Sequence, residues 1–90
     1  MVKGSTSTGF KFSIDPDAIK DMEFIELAAE AEENGLLLPK MIEHVLGKEQ
    51  KEKLYDHVRN NKGRVMIEDV SEEIKEIFNA LNSAKETKNS

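Results

Sequence analysis

The sequence contains no cysteine. That removes disulfides, thiolate metal ligands and thiol nucleophiles together, and it fits a reducing cytosol. There is no tryptophan, and the five glycines stand apart from one another, so no glycine-rich loop is available to cradle a phosphate. Residues 1–9 lack the apolar centre of a secretion signal. No apolar run approaches the roughly 20 residues that cross a bilayer. Net positive charge is missing too. The formal charge is -5, whereas nucleic-acid binding draws on a basic surface that displaces counterions from phosphates.

What is present points to one small domain of 90 residues. A chain this short buries only about two-thirds of its unfolded surface, so a partner can add appreciably to its stability. Residues 1–9, MVKGSTSTG, are polar and are expected to be disordered. Phe10, Phe12 and Ile14 then alternate with Lys11 and Ser13, the period of a half-buried strand. No hairpin mate is evident, so 10–14 reads as an extended arm on helices or as a short strand that pairs with another chain.

Asp15-Pro16 is a helix start, with Asp21 a second one further on. The helix ends at Asn34-Gly35. A second helix, apolar on most sides, follows Leu36 and stops at Gly47. A third, locally basic, occupies 48–60. The cleanest runs from Ile67 to Leu81, with Ile67, Val70, Ile74, Ile77, Phe78 and Leu81 at spacings of three and four. Its start lies near Met66 or, with Ser71 as cap, later. The expected fold class is all-α. It is a small bundle of about four helices over 10–81, between a disordered tail at 1–9 and a polar tail at 82–90.

No catalytic constellation emerges, and neither a cofactor nor a metal ion is implied. His44 and His57 lie 13 positions apart on different helices, while a metal pair on one helix needs a spacing of three or four. His44 suits a helix C-terminus. The acid pairs Glu32-Glu33 and Glu72-Glu73 read as solvated faces. Aligning Gly63 with the sixth position of an EF-hand loop puts Val58 at the first position and Lys62 at the fifth, both unfit for calcium. A metal-free EF-hand-like helix pair is one alternative. Another is a regulatory protein binding DNA through 48–64, although Glu49, Glu52 and Asp56 interrupt that basic stretch.

Four segments occur in order: GFKFSID at 9–15, DMEFIELAAEAEEN at 21–34, LLLPKMIEHVLGKEQKEKLYDHVR at 36–59 and GRVMIEDVSEEIKEIF at 63–78. Together they resemble the tail assembly chaperones of siphophages and prophages of Gram-positive bacteria. The resemblance covers 9–78, and it departs from the family where Met66 replaces a helix-starting proline. It implies a helical, non-enzymatic protein of the host cytoplasm that is absent from the finished virion. Such a protein binds the tape measure protein and tail tube subunits, and self-association into a homo-oligomer is a further expectation. No nucleic acid or membrane partner is implied. A tape measure protein is a long helical chain with apolar stripes, and an apolar groove would hold it. Phe10, Phe12, Ile14, Met22, Phe24, Met41 and Met66 are the candidate partner-binding residues. Methionine is included because it adapts to varied surfaces; the plain alternative is that these residues are core.

Overall fold

The computed structural model describes the backbone of residues 1–89 and the side chains of residues 1–83. The chain opens with a hairpin. Strand β1 (Val2–Ser5) pairs antiparallel with β2 (Lys11–Ile14), placing Val2 opposite Ile14 and Gly4 opposite Phe12. At the turn, Thr6 N–H donates to Phe10 O and Gly9 N–H to Thr6 O, both at 2.9 Å. Gly9 sits at φ 93°, the left-handed residue that closes a three-residue hairpin loop. Val2, Gly4 and Thr6 share the inward face with Phe10, Phe12 and Ile14. A β-carbon on Gly4 would stand 2.7 Å from the Phe12 ring, so only glycine lets that ring lie across β1.

This hairpin corrects the all-α expectation. The protein is a mixed fold of three helices and a small two-stranded antiparallel sheet, not a bundle of about four helices. Residues 1–9, expected to be disordered, supply β1 and the turn. Nor is β2 a lone arm. One edge is taken by β1. At Ser13 the other is closed by Gln50, whose amide accepts from Ser13 N–H at 2.8 Å and donates to Ser13 O at 2.9 Å. Capping an exposed strand edge in this way discourages unwanted pairing.

Asp15 caps only a 3-10 turn, Pro16–Ile19. Helix α1 (Met22–Glu33) starts at the second signal, with Asp21 Oδ1 accepting from Glu23 N–H at 3.1 Å. A further 3-10 turn, Gly35–Leu37, leads into α2 (Leu38–Val58). The two arms of α2 are the two central helices expected from the sequence, and they meet at a non-helical kink at Gly47 (φ 80°, ψ 161°), the residue expected to stop the first of them. Helix α3 (Ile67–Asn89) begins at the earlier of the two expected starts, and Val70 N–H donates to Met66 O at 3.1 Å. It runs on through most of the expected polar tail 82–90. Ser90 and the side chains from residue 84 on lie outside the described residues.

The bend at Gly47 has its own fastenings. Leu46 O accepts from the Gln50 side chain at 2.8 Å, and Lys51 meets Glu43 at 2.8 Å. Residues eight apart in an unbroken helix would be separated by about 12 Å along the axis. The Lys51 hydrogen bond, then its charge, lowers the Glu43 pKa, and the Glu43 hydrogen bond raises that of Lys51. Glu43 therefore contributes stability above its ordinary pKa and loses it as pH falls through the lowered one. Lys51 contributes below its ordinary pKa and loses it as pH rises through the raised one. Carboxyl-detected NMR titration is expected to place the Glu43 midpoint lower in the native chain than in a Lys51→Ala variant. Equal midpoints would contradict the pairing.

One hydrophobic core joins all the elements. Ile14 from the hairpin, Ile42 and Leu54 from the two arms of α2, and Ile77 and Leu81 from α3 are almost wholly buried. Phe24 brings α1 onto this core, its ring meeting the edge of Phe78 at 5.8 Å between centroids.

Candidate functional site

Two features stand out on this scaffold: an apolar groove, and a buried polar clamp at the hairpin turn. The groove is built where local turns force apolar side chains outward. Asn34 Oδ1 accepts from Leu36 N–H at 3.1 Å, and this turn leaves Leu36 87% exposed. Leu38 and Pro39 follow as the first residues of α2, completing one wall. The other wall follows a tight loop in which Asn60 Oδ1 accepts from Lys62 N–H at 2.9 Å and Arg64 N–H at 3.0 Å. Gly63 makes the loop possible at φ 81°, and Arg59 Nη1 donates to Gly63 O at 2.9 Å. The chain emerges at Val65, Met66 and Ile67, and Ile67 is 73% exposed.

Between the walls lies an open groove of about 280 Å³, floored by Ile42, Tyr55 and Val70. Among its lining side chains the Tyr55 hydroxyl is the sole polar group. Such a surface offers hydrophobic contact to apolar side chains with minimal polar restraint.

The clamp fixes the hairpin to α3. Glu73 and Glu76 are three apart and so share a helix face. Thr6 Oγ1–H donates to Glu73 Oε1 at 2.7 Å and Thr8 Oγ1–H to Glu73 Oε2 at 2.9 Å. Ser7 donates through its N–H and its hydroxyl to the two Glu76 oxygens, both at 2.8 Å. Phe10 N–H in turn donates to Thr6 Oγ1 at 3.1 Å. Glu73 is only 2% exposed, yet both its oxygens are satisfied, which is the condition for burying such a group.

His57 Nε2 lies 3.0 Å from Thr8 Oγ1, a contact that superficially suggests a hydroxyl nucleophile and its base. A hydroxyl has one proton to give, and that of Thr8 goes to Glu73. His57 is therefore the donor, and the arrangement lacks the accepting base that nucleophilic activation requires. His44 is also structural. Its Nε2 lies 2.8 Å from Asp21 Oδ2, and its ring stacks on Phe24 at 6.1 Å, which fastens α2 to the start of α1.

Of the seven candidate partner-binding residues, Phe10, Phe12, Ile14, Phe24 and Met41 are buried in the core. They are not open to a partner in this conformation. Met22 is 68% and Met66 47% exposed; Met66 adjoins the groove and Met22 lies away from it on α1. The sequence reading missed Leu36 and Ile67, having taken Leu36 as part of the start of an apolar helix and Ile67 as the first residue of the three-and-four series of α3. Ile67 does share a helix face with Ile74, but it stands at the very end of α3, where neighbouring elements no longer cover that face. The basic stretch 48–64 is partly neutralised, since Lys51, Lys53 and Arg59 pair with Glu43, Glu49 and Asp56. The EF-hand-like loop spends its Asn60 oxygen on its own backbone. Among the described residues no cluster of three His, Asp or Glu side chains is placed to hold a metal ion, and no helix is long and apolar enough to cross a membrane.

No family model matches the chain, and no curated protein or solved structure matches it.

Proposed function

We propose that this chain is a tail assembly chaperone of a siphophage or prophage of a Gram-positive host. It acts in the host cytoplasm, without catalysis. It binds the tape measure protein, keeps that long helical chain soluble, and releases it as tail tube subunits polymerise around it. The observation that carries this is the open apolar groove between Leu36 and Ile67, on a chain with a third of its residues charged. An amphipathic helix can lay its apolar stripe in such a groove, while the charged exterior keeps the complex dissolved. The ordered motifs over 9–78 point the same way.

Co-expression provides the test. A tape measure protein from the same phage or prophage is expected to move from the insoluble to the soluble fraction when the two are made together, and to co-purify. A tape measure protein that is equally insoluble with and without this chain would remove the proposal.

A further inference from the structure

Helix α1 has a second face that nothing in the fold uses. Phe24, Leu27, Ala28 and Ala31 turn inward and pack on the core. On the opposite side Met22, Ile25 and Ala29 recur at three and four residues, the spacing of one helix ridge. Met22 is 68% and Ile25 51% exposed, and Ala29 is exposed as well.

This apolar ridge runs between glutamates: Glu23, Glu26, Glu30, Glu32 and Glu33 are all exposed. Among the described residues none of the five takes part in an ion pair. Helix α1 itself carries no Lys or Arg. Three of the acids crowd its last turn, where the helix dipole is already negative and a base is favoured. Lys40 of α2 shares a shallow cleft with Glu23, Glu26 and Glu30 but forms no ion pair with them, so the fold relieves this electrostatic cost only in part.

We infer that the outer face of α1 is a second docking surface, separate from the groove, for a basic amphipathic helix. Its ligand carries an apolar stripe that covers Met22, Ile25 and Ala29, flanked by Lys or Arg that meet the glutamates. Twelve residues of α1 extend about 18 Å, so about three turns of a partner helix suffice. A second copy of the chain is a poor occupant. Its basic stretch is interrupted by Glu49, Glu52 and Asp56, and Lys51, Lys53 and Arg59 are already paired. The surface is defined by α1 alone; naming a basic segment of the tape measure protein as its natural ligand rests on the function proposed above.

The test uses the full chain and a labelled synthetic helix of about five turns, with leucines at three-and-four spacing and lysines on both flanks. Two control peptides replace every lysine with glutamate, or keep the composition but scatter the leucines. Fluorescence anisotropy is expected to show binding of the first peptide alone. That binding should weaken about tenfold or more between about 0.01 M and about 1 M salt, as the screening length falls from about 30 Å to about 3 Å. Met22→Ser with Ile25→Ser should weaken it about tenfold, as should Glu30→Lys with Glu33→Lys. The second pair puts bases where the helix dipole favours them, so its circular dichroism and urea midpoint are expected to match those of the native chain while binding is lost.

Equal binding of either control peptide, or binding indifferent to both α1 variants, would overturn the inference. So would self-association of the chain that is abolished by Glu30→Lys with Glu33→Lys, because the occupant would then be a second copy. Peptide binding that ignores α1 counts against this surface and leaves the chaperone function standing. Failure to solubilise the tape measure protein counts against the function and leaves the peptide result standing.

Discussion

Glu73→Ala is expected to lower the stability of the chain by about 3 kcal/mol and to loosen the hairpin before the rest of the fold. The carboxylate receives two hydroxyl hydrogen bonds, at 2.7 and 2.9 Å, in a position that is 2% exposed. Hydrogen bonds to such a group contribute about 1.5–3 kcal/mol each. Their removal also leaves the Thr6 and Thr8 hydroxyls without their acceptor, and Thr6 is itself buried. A domain of this length has a total stability of only about 5–13 kcal/mol, so the loss is a large share of it. Glu73→Gln keeps one acceptor oxygen and is expected to lose about half as much. Urea unfolding gives the magnitude, and amide exchange at Phe10 and Phe12 gives the location. A midpoint unchanged in Glu73→Ala would show that the clamp does not hold the hairpin.

Leu36→Asp combined with Ile67→Asp has the opposite profile: free-chain stability nearly unchanged, binding largely lost. Both side chains stand in solvent in the free protein, and exposed substitutions usually move stability by less than about 0.5 kcal/mol. An acid at Ile67, the first residue of α3, even suits the helix dipole. In the complex each apolar side chain contributes about 1.5–3 kcal/mol by leaving water. Removing both, and placing charges on the two walls, is expected to weaken the tape measure complex by about a hundredfold or more. Equal affinities for the variant and the native chain would move the binding surface away from the groove.

The helices were largely legible in the sequence because three-and-four spacing reports burial directly. The stripe through Val70, Ile74, Ile77 and Leu81 was read correctly as core, and Asp21 was among the expected helix starts. The hairpin was not legible. Its first strand offers only Val2 as a large apolar residue, and its turn, with the composition of a disordered tail, is ordered by carboxylates more than 60 positions away in the chain. Local pattern contains no trace of such a contact. The same limit applies to the candidate site. Phe10, Phe12, Ile14, Phe24 and Met41 had the composition of a sticky surface, and all five are buried in the core, Phe10, Phe12 and Ile14 as the inward face of the hairpin and Phe24 against Phe78 and His44. Ile67 carried core periodicity but stands at the first position of α3, so periodicity placed it on the wrong side of the surface; Leu36 lies in the turn before α2, where no periodicity reports its exposure. Gly63 was placed in a loop between two helices; that this loop would expose Ile67 depended on the course of α2, which no local pattern specifies.

Whether a helical partner occupies the groove is best decided by amide hydrogen exchange on the chain alone and in the presence of the tape measure protein. Slower exchange in the complex is expected at residues 35–42 and 65–70, the two walls and part of the floor, while residues 10–14 remain as protected as before. Unchanged exchange at both walls, with the tape measure protein bound or in excess, would contradict the account.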